Sequence, residues 1–199
     1  ELLDAFPVKH LKKIKNIWYE KYVFYNKEKK EINSKYLRSK KSYKNILNLC
    51  NKDIAFIEYS PHIFKLLQEI SDIIKYHSNN CFMTIDYGYY SNQYKNTLQG
   101  LKKHKKVSVF HDPGNTDITY LVNFNLIKQI LKKNDLNSTL NMSQSKFLIN
   151  TGILLRLEQA KKKLNSNKEK MKLEMAVERL IDPANMGGLF KVLIVDNAN

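Results

Sequence analysis

The chain has 199 residues, 43% hydrophobic and 27% charged, with a formal net charge of +15. That suits one globular domain with a proper core, or a domain with a small insert, rather than a disordered chain. No apolar run approaches the ~18 residues that span a bilayer, and no basic start with an apolar stretch and cleavage site marks a secretory signal.

Residues 9–40 lack Gly and Pro and are rich in Lys, Tyr, Val and Ile. "HLKKIKNIWYEKYVFYN", a charged turn at "NKEKKE" and "INSKYL" read as antiparallel strands joined by a hairpin. The Trp and Tyr residues of 17–25 are expected in the core of this unit rather than on a peptide platform. A short helix is expected over "SYKNILNL". "DIAFIEYSPHIFKLLQEISDIIKYH" carries the clearest helical signal, with Ser60 as N-cap and Pro61 in the first helical position. Ile63, Leu66, Leu67, Ile70, Ile73 and Ile74 recur at the spacing of one buried face.

After "HSNN" comes the strand "CFMTID"; a helix feeding a buried strand is half of a β-α-β unit and predicts a parallel sheet. The connection 87–117 is long, contains Gly88, Gly100, Pro113 and Gly114, and has the length of a functional loop. Helices follow over "NFNLIKQILKKND", capped by Asn123, over "QSKFLINTGILLRLEQAKKKL" with a break near Gly152, and over "KEKMKLEMAVERLI". "STLNMS" and "LFKVLIVD" are strands, the latter after the loop "DPANMGG", whose glycines are read as structural. The fold class is α/β.

Only three of the 34 basic residues are arginine (Arg38, Arg156, Arg179). Lysine is spread along the chain beside Asn and Ile, as an A/T-rich coding sequence would produce, so nucleic acid is the less expected partner. Cys50 and Cys81 fall outside any C-x-x-C spacing and are read as buried reduced thiols of a cytosolic protein. His10, His62, His77, His104 and His111 have no ligand spacing, so no metal is expected. Asp86 ends its strand at the edge where open α/β sheets bind ligands, and Tyr87 and Gly88 follow it. The alternative for Asp86 is a loop cap that accepts backbone N–H bonds.

Seven stretches in order resemble the MidA-type family of class I S-adenosylmethionine-dependent methyltransferases: "ELLDAFPV", "IEYSP", "IDYGY", "NTLQGLKKH", "DPGNTDIT", "SQSKFLINTGI" and "RLIDPANMGGLFKVL". Mitochondrial members of that family are arginine methyltransferases that assist assembly of respiratory complex I. The resemblance implies the C-terminal half of a Rossmann-like sheet with an antiparallel β insert. Residues 1–8 would end the fourth-strand segment, 9–56 form the insert, and 57–199 carry the remaining strands and helices. S-adenosylmethionine is the implied cofactor, with its glycine-rich loop expected upstream of residue 1; the chain itself has no G-x-G. An arginine of a protein is the implied substrate and a homodimer is open. The implied compartment is the cytoplasm of a bacterium, or the mitochondrial matrix in a eukaryote. One departure is clear: the family's Ala-His-Val-Asp-Phe after "DIT" is here Tyr120, Leu121, Val122, Asn123 and Phe124. Any role of that His does not transfer to Leu121, and Asn123 keeps only capping chemistry.

Methyl transfer to a guanidinium needs carboxylates that grip the cation and orient one nitrogen. Glu1, Asp4 and Asp86 are the candidates for that mouth, with Tyr87 as a stacking wall and Gly88 beside it. For Asp4 the competing reading is a turn in which Asp bonds its own backbone. His104 is either a proton acceptor or a loop residue. Two other functions stay open: a non-catalytic protein-binding fragment of this fold, and a basic nucleic-acid-binding protein.

Overall fold

The computed structural model describes residues 1–50, 53–76, 79–103 and 105–196. Lys15 and Asn16 both adopt left-handed backbone, φ 47° and 63°, as a two-residue hairpin turn of the primed type requires. They divide the first expected stretch into β1 (Lys9–Ile14) and β2 (Ile17–Asn26). Leu11 lies opposite Glu20, and Ile14 opposite Ile17. β2 returns through residues 27–30 into β3 (Glu31–Arg38), pairing from Tyr19↔Arg38 to Asn26↔Glu31. The expected aromatic core divides here. Trp18 packs against the core, whereas Tyr22 and Tyr25 are exposed, because β2 runs on past its neighbour β1.

After the single turn α1 (Lys44–Leu47), Phe56–Tyr59 forms β4, antiparallel to β1. In the sequence these four residues directly before Ser60 show no period of their own and merge with the helical signal that follows. β4 completes a sheet of order β3-β2-β1-β4 and spans position 56/57.

α2 (Pro61–Tyr76) starts as expected, with the Ser60 hydroxyl accepting the His62 N–H at 3.2 Å. Ile63, Leu67 and Ile74 are buried, and Leu66 and Ile70 pack against the core. Ile73 does not join them and is 62% exposed; six residues beyond Leu67, it sits roughly 120° round the helix.

β5 (Cys81–Tyr89) is longer than the six residues expected. Cys81 at its start is exposed and Cys50 half-buried, so the expected burial of both thiols fails for Cys81. The long connection holds a small sheet of β6 (Gln99–Lys102), β7 (Lys105–Val107) and β8 (Asp117–Thr119), in the order β7-β6-β8. β9 (Val122–Asn123) leads into α3 (Phe124–Lys133), where the Asn123 side chain accepts the N–H groups of Asn125 and Leu126. β10 (Ser138–Ser143), α4 (Gln144–Asn150), α5 (Ile153–Lys162) and α6 (Asn167–Ile181) follow. The break between α4 and α5 falls at Gly152, whose φ of 86° suits glycine. A single turn, α7 (Met186–Leu189), lies within the expected loop, and β11 (Phe190–Asp196) closes the described chain.

These strands form a second sheet of order β10-β11-β5-β9. The expected parallel sheet holds only in part: β5 is parallel to its neighbour β9 at Gly88↔Val122 and Tyr89↔Asn123. β11 is antiparallel to both β5 and β10, so β5 and β10 run the same way with β11 reversed between them. The cause is the α4–α7 excursion, which leaves and re-enters the sheet at one end, with Ser143 facing Lys191. The C-terminal end of β5 lies at that same end, Tyr87 facing Phe190. Leu11 and Ile57 from the first sheet and Leu193 and Val195 from the second join one core with Leu67, Phe124, Ile127 and Leu131. No helix among the described residues is long and apolar enough to cross a membrane.

Candidate functional site

Asp86, in the second half of β5, has no solvent exposure. A carboxylate there needs compensation, and backbone donors supply it. One oxygen accepts the N–H groups of Leu2 and Leu3 at 3.0 and 2.8 Å, and the other accepts the Tyr87 N–H at 2.8 Å. The Glu1 nitrogen donates to the Ile85 carbonyl at 3.2 Å. Residues 1–3 are thereby fastened beside the end of β5, and the chain makes one 3-10 turn, Leu3–Ala5, over the buried Leu3 side chain.

Asp4 sits in that turn, half-buried. Its carbonyl accepts the Tyr120 N–H at 3.1 Å, which joins the turn to the segment just after β8. Its carboxyl is pushed up to about 6, first by burial, then by the negative charges of Asp86, Glu1 and Asp117, with the terminal amine opposing. Four carboxylates are therefore near enough to feel one another's charge, Asp86 buried, Asp4 half-buried, Glu1 and Asp117 exposed, and together they form an acidic mouth. Among the described residues no lysine or arginine ion pair to Glu1, Asp4, Asp86 or Asp117 is formed. Such a mouth attracts a cation, and a planar one with several N–H donors suits paired carboxylates.

The structure thus brings together Glu1, Asp4 and Asp86, but Asp86 faces backbone N–H groups, as in its capping alternative, rather than the opening. Tyr87 follows Asp86 on the opposite face of the strand, where its ring lies 5.7 Å from that of Phe190; it does not wall the mouth. Gly88 is buried in the β5–β9 pair, where a Cβ would stand 2.3 Å from the Val122 carbonyl oxygen and 2.7 Å from the Phe124 ring. It is a packing glycine. His104 lies outside the described residues, as does His77. Asp117 was not among the sequence candidates. Within "DPGNTDIT", beside Pro and Gly, it reads as one more turn residue; β8 is held by its pairing with β6, Leu101↔Asp117, and the Tyr120 N–H bond to the Asp4 carbonyl brings this segment to the mouth.

Behind the mouth, Glu58 of β4 is 3% exposed. Its carboxylate accepts the Thr97 N–H at 3.1 Å, the Thr97 hydroxyl and the Leu98 N–H at 3.2 Å, and pairs with the buried His10 ring at 2.7 Å. The Thr97 oxygen in turn accepts the Leu121 N–H at 2.8 Å. This network holds the long connection against the first sheet, and so fixes the Tyr120 N–H that Asp4 uses. The Tyr120 phenol is buried and pushed well up, by burial first and then by Glu58, Asp86 and Asp4; its hydroxyl faces Ser60 without reaching full hydrogen-bond geometry.

Gly88, Gly100, Gly187 and Gly188 are each occupied by close chain packing within this fold, and Gly114 and Gly152 stand on open turns at positive φ. Among the described residues no group of three or more His, Cys, Asp or Glu side chains could hold a metal ion.

Residues 1–142 match the model of a family described as putative S-adenosyl-L-methionine-dependent methyltransferases. Over 199 residues the chain is 27% identical to protein arginine methyltransferase NDUFAF7, mitochondrial, of Xenopus laevis, covering 98% of this chain and 44% of that protein. Two crystal structures from Burkholderia thailandensis share the fold at 24% identity. One is a COG1565 superfamily member bound to S-adenosyl-homocysteine, with a TM-score of 0.82 over 99% of this chain and 52% of that one. The other is an uncharacterized COG1565 superfamily protein, with a TM-score of 0.83 over 98% and 53%. The chain spans about half the length of the proteins it matches.

Proposed function

The chain belongs to the family of putative S-adenosyl-L-methionine-dependent methyltransferases, and from that premise we propose that it forms the acceptor side of an enzyme that methylates an arginine side chain of a protein. The observation that carries this reading is the acidic mouth: Asp4, half-buried and raised to about 6 by burial and by Asp86, Glu1 and Asp117. A guanidinium entering it would relieve the repulsion between these groups while its N–H donors are shared among them. The name of the Xenopus laevis relative supports arginine as the acceptor.

In this reading Asp4 and Glu1 touch the substrate. They hold the guanidinium and localise its charge away from the attacking nitrogen, and Asp117 closes the outer rim. Asp86 is a positioning residue: it fixes the backbone of residues 1–3 and so the direction of the Asp4 carboxyl. We assign the cofactor's main contacts to the part of the protein outside these residues, since four of the six glycines here are filled by close chain packing and the other two stand singly on exposed turns. The substrate is proposed to be a subunit of respiratory complex I or its bacterial counterpart.

The experiment is methyl incorporation into arginine peptides, followed by mass spectrometry, with the protein that carries this chain together with the rest of the family's length. Asp4→Asn should lower kcat/KM about 10–100-fold, the loss of one charge-assisted contact, without lowering the melting temperature. Unchanged turnover, or methylation confined to another residue type, would overturn the proposal.

A further inference from the structure

Residues 9–41 hold 12 of the chain's 34 basic residues and only three acids, roughly twice the share of basic residues that an even spread would place there. Uniform compositional drift does not produce that concentration. One of the acids, Glu20, is buried and already paired with Lys9 at 2.7 Å.

β1 accompanies β2 only as far as Glu20. Beyond it β2 and β3 continue as a two-stranded ribbon, on which the consecutive residues Tyr22, Val23, Phe24 and Tyr25 are 36, 62, 38 and 59% exposed. Successive strand residues point to opposite faces, so the ribbon is open on both. β3 stands last in its sheet, and among the described residues no strand pairs with its outer edge. Every second residue of such an edge directs its N–H and C=O outward, which makes an eight-residue edge a template for one more strand. Lys35 and Arg38 are exposed along β3 on opposite faces, and Lys27, Lys29 and Lys30 surround the turn before it.

We propose that the outer edge of β3 docks an extended acidic segment of a partner protein. The segment adds as a fifth strand to β3-β2-β1-β4, its backbone pairing with β3 and its carboxylates meeting Lys35, Arg38 and the lysines of the turn. A second copy of this chain is disfavoured, because β3 against β3 would bring like charges together. A nucleic acid fits less well. The Phe24 and Tyr22 rings each have a lysine amine over one face, Lys35 at 4.9 Å and Lys41 at 5.9 Å, which leaves Tyr25 as the more open of the ribbon's exposed rings for a base to stack on. A single-stranded nucleic acid also has no backbone to pair with a strand edge. The proposal does not rest on methyl transfer.

The test is fluorescence anisotropy with the 199-residue chain and a labelled peptide of alternating glutamate and threonine, long enough to span β3. Saturable binding is expected. It should weaken at least about tenfold when proline replaces each threonine, which keeps the charge and alters the backbone pairing. It should weaken as much in the Lys35→Glu/Arg38→Glu variant. The Lys27→Glu/Lys29→Glu variant, confined to an exposed turn, should weaken it too and guards against misfolding of the first. Absence of saturable binding, equal binding of the proline peptide, or tighter ribbon-dependent binding of oligothymidine would each overturn the proposal.

Discussion

Asp86→Asn exposes how the mouth is held. The carboxylate accepts three backbone N–H groups at 2.8–3.0 Å with two oxygens, from a position with no solvent exposure. Asparagine keeps one acceptor oxygen and puts an NH2 group where the other stood. Turned toward Leu2 and Leu3, it sets that NH2 against the Tyr87 N–H, donor against donor; turned the other way, it orphans two donors. The cheaper arrangement loses one charge-assisted bond and weakens two more, a cost of about 2–4 kcal/mol. For a chain of this size each kcal/mol lowers the melting temperature by about 2–4 °C, so a fall of roughly 4–16 °C is expected in thermal unfolding followed by circular dichroism. Hydrogen exchange at the Leu3 amide should accelerate more than exchange within α3, because the damage is local before it is global. A variant that melts with wild type, with the Leu3 amide equally protected, would refute the claim that Asp86 fastens residues 1–3.

Gly88→Ala places a methyl group 2.3 Å from the Val122 carbonyl oxygen; backbone cannot rotate away, so β9 must shift, at a cost of at least about 2 kcal/mol in denaturant unfolding. Glu58→Ala removes the acceptor of the Thr97 and Leu98 N–H groups and strands the buried His10; about 3–5 kcal/mol should be lost. Two carboxylates should have opposite effects on stability against pH. Glu20 is lowered from 4.5 to about 2, burial being outweighed by bonds from Lys9, Tyr43 and Tyr22; its contribution is complete above its ordinary value and lost as pH falls toward 2, and Glu20→Gln should remove that part of the acid transition. Asp4 is raised from 3.8 to about 6. The folded state therefore binds its proton more tightly, and ionisation costs stability as pH rises through that interval. Asp4→Asn should be more stable than wild type at neutral pH, by on the order of 1 kcal/mol once solvent screening is allowed for, with the gain gone at pH 4. Chemical denaturation at several pH values checks both signs.

The elements most legible in the sequence carried their own punctuation. Ser60 and Pro61 started α2, Asn123 capped α3, and Gly152 broke the helix between α4 and α5, each through chemistry local to the residue. β4 was hidden because four residues have no detectable period. The Lys15–Asn16 turn was hidden because lysine pays a steric cost at positive φ that only the β1–β2 pairing repays. At the site, "IDYGY" pointed to the right place with the wrong orientation. Whether Asp86 faces a ligand or a backbone depends on what is packed beside it, which is residues 1–3, more than eighty positions away. The same distance problem concealed Asp117, whose neighbourhood in sequence is a turn and whose neighbourhood in space is Asp4.

An acceptor for a guanidinium built from Glu1, Asp4 and Asp117 would show itself first in binding. Nα-acetyl-arginine amide and its neutral citrulline counterpart would be titrated into the 199-residue chain and its Asp4→Asn variant, with NMR shifts of residues 1–5 and 117–120 as readout, at pH 7.5 and pH 5. The arginine compound should bind and the citrulline compound should not, and the affinity should fall at the lower pH in wild type as Asp4 is protonated, but not in the variant. Equal binding of arginine and citrulline compounds, or the same pH dependence with and without the Asp4 carboxyl, would contradict it.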